Sequence, residues 1–219
     1  AASKALADVS GIPVVLSTNL IEATWDTGAY VQTSGVLKRI AVKLSKICND
    51  LRLLSSGPRT GINEINLPRL QPGSSIMPGK VNPVIPEVVS QVAFDIIGKD
   101  VTITMAAEAG QLELNVMEPI IAFSLANGIH RLRQAMRTLQ DRCVSGITAN
   151  KERCRSMVEN SIGIITALNP YLGYETSASI AKEALETGGS VLDIVLARNL
   201  LSREKLDDIL APEHMINRK

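Results

Sequence analysis

LIEATWDTGAYVQTSGVLKRIAVKLSKICNDLRLL, residues 20–54, is the most regular stretch of the 219-residue sequence. Leu20, Ala23, Thr27, Tyr30, Ser34, Leu37, Ala41, Leu44, Cys48 and Leu51 alternate spacings of three and four, a heptad seam that predicts one long helix from Leu20 to Leu54. A second stripe, Thr33, Ile40, Ile47 and Leu54, runs beside the first, so the helix is expected to be covered on more than one side. The seam is rich in Ala, Ser, Thr and Cys, which suits close approach of several helices better than a two-stranded coiled coil, and points to a multi-helix bundle.

Composition agrees with an all-α chain. Aromatic residues are only 3% against 45% hydrophobic residues overall, so the core must be built from Leu, Ile, Val and Ala rather than from the rings that favour strands. The 23 Lys and Arg balance 22 Asp and Glu, giving a net charge of +1 and no basis for nucleic acid or an acidic membrane surface as partner. No apolar run approaches the ~20 residues that span a bilayer. Ala1 to Ser10 lacks a basic start followed by an apolar block, so no signal peptide is expected there. Cys48, Cys143 and Cys154 fit no zinc or redox spacing and read as free thiols of a cytoplasmic protein. No Asp, Glu or His cluster has metal-ligand spacing, and no cofactor is implied. The sequence begins without Met and inside helical texture, which is expected of a fragment of a longer protein.

Downstream of the seam, Ser55 to Gly79 holds Gly57-Pro58, Gly61, Pro68, Pro72-Gly73 and Pro78-Gly79, which forbids regular helix. Its length is that of a functional loop rather than a plain connection. Helix is expected to resume after Asn82-Pro83, with Asn82 as cap, and to run to about Ala109. A third long helix is expected from about Val116 to Cys143. Beyond Gly146 the texture shortens: about Asn150–Asn160, Tyr174–Thr187, Ser190–Arg198 and Ser202–Leu210, with Asn169-Pro170 among the stops. The expected organisation is residues 1–145 as part of a helical-bundle domain that includes loop 73–83, and residues 146–219 as a small α-helical domain.

The densest polar stretch is GSSIMPGKVNP, Gly73 to Pro83. It offers the Ser74 and Ser75 hydroxyls, the Lys80 ammonium and the Asn82 amide on a loop that enters a helix N-terminus, a set suited to a carboxylate or phosphate. It is not a P-loop: five residues separate Gly73 from Gly79, and Val81 follows Lys80 where Ser or Thr is required. On residue chemistry alone a second reading stands beside the anion site, a Gly/Pro-rich turn capped by Asn82 with a solvated lysine. Glu87, four residues past Pro83, reads equally as a partner for the positive end of the helix. His130 and His214 are expected on helix surfaces, and Arg131, Arg133 and Arg137 as a solvated basic face.

Gly73 to Pro83 resembles the signature of the aspartase/fumarase superfamily, and the similarity extends along the chain through Cys48–Arg52, Ser56–Arg59, Glu113–Val116, Gly146–Asn150 and Leu168–Pro170. Ile21–Thr24, Met105–Leu112 and Asn115–Pro119 resemble the aspartase branch more than the fumarase branch. The resemblance implies a lyase that removes a proton beside a carboxylate, passes through an aci-carboxylate and expels ammonia from L-aspartate to give fumarate. The alternatives are water as the leaving group, and a catalytically silent helical scaffold. It implies Ser74 as base, with Ser75 the alternative for that role, and Glu87 as the family glutamate that pairs with a histidine of another subunit. It implies Ser75, Lys80 and Asn82 as ligands of the dicarboxylate. It also implies a homotetramer whose active sites are shared between subunits, and members about twice this length.

Overall fold

The computed structural model describes residues 1–211 and His214. The chain is all-α and divides into two units, residues 1–148 and 149–219.

The first unit opens with α1 (Ala2–Ser10), which buries no residue. Three long helices follow: α2 (Gly28–Leu54), α3 (Val84–Glu108) and α4 (Glu118–Arg142). The packing fixes their directions. Ser34 of α2 meets Asp100 of α3, Ala41 meets Ala93 and Ile96, and Cys48 meets Val89, so the two helices are antiparallel. On α4, Ile121 lies with Ile103 and Ala106, Leu132 with Ile96, and Leu139 with Val89, so α4 reverses again. The buried positions of α2 are Ser34, Ala41 and Cys48, small residues of the seam, together with Ser45 next to it. Gly128 lets α4 close on α3: a Cβ there would stand 3.3 Å from the end of Ile96. Larger fully buried side chains, Ile103 and Ile121 among them, each contribute roughly 1.5–3 kcal/mol by leaving water.

Two expectations fail in this unit. The seam does not begin a helix at Leu20: Glu22–Thr24 is a single 3₁₀ turn and α2 starts at Gly28. Side chains offer the backbone other partners there. Asn19 Oδ1 accepts from the N–H groups of Ile21 and Glu22, and Asp26 Oδ1 accepts from Gly28 N–H at 3.0 Å. The second stripe is not covered within the chain, since Ile40 and Ile47 remain exposed. The loop between α2 and α3 is free of helix as expected, and its one regular piece is the two-residue strand β1 (Ile65–Asn66). Asn66 Nδ2 donates to Thr148 Oγ1 at 3.2 Å.

The second unit packs α6 (Ile165–Leu172), α7 (Tyr174–Thr187), α8 (Val191–Ala197) and α9 (Arg203–Ile209) around Leu168, Ile180, Val195 and Leu206, while α5 (Lys151–Glu159) buries no residue. Ser190 and Ser202 cap α8 and α9, accepting from the N–H groups of Leu192 and Lys205 at 3.2 Å each. Asn169-Pro170 does not stop a helix: α6 continues through Pro170 to Leu172 and ends at Gly173, whose φ is +77°. Proline loses the bond back to the preceding turn, and its ring crowds the carbonyl there. So short a helix, fixed by the buried Ile165 and Leu168, withstands that loss.

Candidate active site

Loop 73–83 enters α3 in a closed form. Gly73 N–H donates to the Lys80 carbonyl at 2.7 Å, and Asn82 Nδ2 donates to the Gly73 carbonyl at 3.1 Å. The expected capping role of Asn82 is therefore replaced: Pro83 occupies the N-cap position and no side chain caps α3. The helix N-terminus is a poorer anion site than expected. Val84 N–H is spent on the Asn82 carbonyl, and Pro86 has none to give.

Between the two ends of this clasp lie candidate site residues. Ser74 is half-buried and its Oγ accepts from Ile76 N–H at 3.2 Å. A donor aimed at a hydroxyl oxygen favours its deprotonated form. Ser75 is exposed, and no donor to its hydroxyl is seen among the described residues. The two neighbouring serines thus differ in the one respect that matters for a base. The Lys80 ammonium is exposed, and among the described residues it forms no ion pair or hydrogen bond. Glu87 stands in the first turn of α3, half-buried, its N–H donating to the Pro83 carbonyl at 3.2 Å. Its carboxylate has no partner among the described residues, and no hydrogen bond joins it to the loop. The structure therefore brings Ser74, Ser75, Lys80 and Asn82 onto one clasped loop and leaves Glu87 as a separate unspent charge.

Two stretches that lie far apart in sequence meet elsewhere in the first unit. The Thr24 hydroxyl donates to the Glu113 carbonyl, and Asn115 N–H reaches the Thr24 carbonyl at 3.4 Å. Asn115 is buried and fully engaged: its amide donates to the carbonyls of Ala106 and Ala107, and its oxygen accepts from Met117 N–H. It joins the end of α3 to the start of α4. No sequence signal separates this asparagine, which joins two helices, from Asn82, which closes the loop.

Competing sites carry less. A cavity of about 870 Å³ in the second unit is walled by Val158, Ile164, Leu192 and Leu210, and loop 73–83 contributes none of its lining. Its charged walls include Arg155 paired with Glu159 and Arg203 paired with Asp207, so these charges are already neutralised. Cys48 and Cys143 are buried in the helix core. Burial, and the neighbouring Cys143, push the Cys48 thiol up to about 11, the opposite of what a nucleophile needs. No group of three or more His, Cys, Asp and Glu side chains among the described residues is placed to hold a metal. No helix among the described residues is long and apolar enough to cross a membrane. His130 and His214 are exposed, as expected, and so are Arg133 and Arg137, but Arg131 is not merely solvated: it reaches Asp95 at 3.2 Å.

Residues 1–98 match a family model described as lyase, and residues 164–217 one described as fumarase C C-terminus. Aspartate ammonia-lyase of Helicobacter pylori is 63% identical over 214 residues, 98% of this chain and 46% of that protein. That of Pseudomonas fluorescens is 65% identical over 96% of the chain and 44% of its own length, and that of Escherichia coli K12 58% identical over 99% and 45%. A Brucella melitensis structure described as fumarate lyase:delta crystallin bound to cobalt superposes with a TM-score of 0.92 at 55% identity, over 98% of this chain and 46% of its own. A class II fumarase of Schistosoma mansoni gives 0.85 at 34%, over 97% and 48%. The chain spans about half the length of the curated relatives it matches.

Proposed function

The chain belongs to the aspartase/fumarase superfamily of lyases, and from that premise we propose that it supplies the base-bearing part of an aspartate ammonia-lyase. The reaction is the reversible elimination of ammonia from L-aspartate to give fumarate. A proton leaves the carbon beside one carboxylate, the electron pair delocalises into that carboxylate, and the carbon–nitrogen bond then breaks as the double bond forms. The carbon acid is weak and the intermediate carries added charge on its carboxylate, so preorganised donors are needed where that charge develops.

In this reading Ser74 takes the proton. The observation that carries it is the Ile76 N–H directed at Ser74 Oγ, which lowers the cost of an alkoxide that would otherwise be a poor base. Lys80, exposed and without an ion pair among the described residues, supplies the charge for a substrate carboxylate, and Ser75 and Asn82 supply hydrogen bonds. Glu87, whose carboxylate has no partner among the described residues, is assigned to orient a histidine of another subunit. The assembly is a homotetramer with active sites shared between subunits. It is supported by Phe94, Val101 and Met105 of α3 and Ile40 and Ile47 of α2, all apolar and exposed on the isolated chain. Residues 1–145 are assigned to the bundle domain and 146–219 to a small helical domain. Thiols rather than disulfides at Cys48 and Cys143, both buried, fit a reducing cytoplasm, where we place the enzyme.

The fumarase C C-terminus match and the 34% identity to a class II fumarase favour one other reading, water as leaving group. Ultraviolet absorbance of fumarate separates the two. The full-length protein is expected to form fumarate from L-aspartate and not from L-malate; the reverse result makes it a fumarase, and no fumarate from either makes it a silent relative.

A further inference from the structure

Each hydroxyl, amide and charge of the signature loop has a role in the reading above; Gly73 has none. It is nonetheless the more crowded of the two glycines of the loop. A Cβ built on it would stand 2.8 Å from the Lys80 carbonyl oxygen, 2.9 Å from the Lys80 carbonyl carbon and 3.1 Å from the Asn82 nitrogen. All three are backbone atoms, so no side-chain rotation relieves the overlap. Gly79, at the other side of the loop, is glycine for a different reason: its φ is +80° and nothing lies within 4 Å of its missing Cβ. One glycine serves conformation, the other serves close approach.

We propose that Gly73 is a positioning residue of the elimination. With no side chain, it lets the two limbs of the loop close to 2.7 Å and 3.1 Å through the Lys80 carbonyl and the Asn82 amide. That closure sets the separation between the Ser74 hydroxyl, which follows directly on one limb, and the Lys80 and Asn82 side chains on the other. The proposal rests on the assignment of Ser74 as base. A methyl group at position 73 must push the Lys80 carbonyl outward by about half an ångström to reach ordinary contact, and displacement of about 1 Å at a reacting centre costs up to ~10²-fold in rate.

In the full-length protein, Gly73→Ala is expected to lower kcat for L-aspartate at least ~10-fold while KM moves less than about threefold. Melting temperature and oligomeric state should stay as in the wild type. On a Ser74→Ala background the same substitution should add little, because an absent base cannot be misplaced; a merely structural role would subtract equally on both backgrounds. Trypsin cleavage after Lys80 reads the clasp without reference to turnover, and Gly73→Ala should be cut at least ~5-fold faster than wild type. Wild-type kcat in assembled Gly73→Ala overturns the proposal. Should that variant fail to assemble, cleavage is read in Asn82→Asp, which keeps the side-chain shape and replaces the donor to Gly73 with an acceptor; a wild-type cleavage rate there overturns it. Wild-type turnover in Ser74→Ala is a different failure, that of the base assignment itself.

Discussion

The helices of the first unit and the loop between α2 and α3 treat polar groups in opposite ways. Along the α2–α3 contact the charged groups find partners: Ser34 donates to Asp100 at 2.8 Å, Lys38 pairs with the same carboxylate at 2.5 Å, and Lys99 bonds both oxygens of Asp95, while the buried Ser90 hydroxyl has no partner among the described residues. On the loop the backbone is spent, in the Gly73–Lys80–Asn82 clasp, while the Lys80 and Ser75 side chains are left open. The contrast teaches where function sits. A scaffold gains by satisfying its polar groups; a binding loop gains by fixing its backbone and leaving its side chains to the ligand. If so, changes on the loop should reach turnover and leave stability alone, and changes on the helices should do the reverse.

The largest effect tests whether scaffold and loop suffice together. The 219-residue chain by itself is expected to form no fumarate from L-aspartate, yet to associate in solution. Its exposed apolar residues on α2, α3 and α4, from Ile40 to Phe123, form surface of the kind that marks an interface. Light scattering that finds a clean monomer breaks the bundle reading, and turnover by this chain alone breaks the shared-site reading.

Next comes the base. In the full-length protein Ser74→Ala should lower turnover at least ~10²-fold, the lower range for a lost general base, with an unchanged melting temperature. Ser75→Ala should retain more activity, because no backbone donor faces its hydroxyl among the described residues. The opposite order in steady-state kinetics reverses the assignment. Lys80→Ala should cost ~10²-fold in kcat/KM, the scale of one lost donor at a developing charge. Lys80→Arg should recover only part, since a fork replaces a compact ammonium. Wild-type kcat/KM in Lys80→Ala removes the lysine from the site.

How much of this was legible beforehand follows the same division. The all-α class and the three long helices were legible because Ala41, Cys48, Val89 and Ile96 recur at helical spacing, and period is a local property. The starts of α8 and α9 at Ser190 and Ser202 were legible because a helix start signal needs only neighbours in sequence. Leu20 to Thr27 was misread because period alone ignores Asn19 and Asp26, whose side chains capture the backbone. The candidate site was legible as a list, Ser74, Ser75, Lys80, Asn82 and Glu87. Its geometry was not: Asn82 reaches back nine residues to Gly73, a contact that no helix or strand period encodes. Asn82 and Asn115 look alike in sequence, and only their partners show that one closes a loop and the other joins two helices.

The smallest expected effect lies on the scaffold side and carries the sign of its pH dependence. Asp100 is buried among α2 and α3. Burial alone would raise its carboxyl, but the hydrogen bonds from Lys38 and Ser34 and the charge of Lys38 outweigh that and hold it below its ordinary value. A carboxyl depressed in the folded state binds its proton more readily in the unfolded one. Its stabilisation is therefore fully present above the unfolded value, about 3.9, and is lost as pH falls through the lower folded value. Asp100→Asn keeps an acceptor for Ser34 and loses the charge facing Lys38. Because the Lys38 side chain is 46% exposed, water screens much of the pair, and the cost at neutral pH should be about 1–2 kcal/mol. Urea unfolding of the assembled protein at pH 7 and again near pH 3.5 checks this, with the gap between wild type and variant narrowing at the lower pH. Turnover at pH 7 should be unchanged. A variant as stable as wild type, or one that loses activity while keeping its stability, would erase the division between a scaffold that spends its polar groups and a loop that saves them.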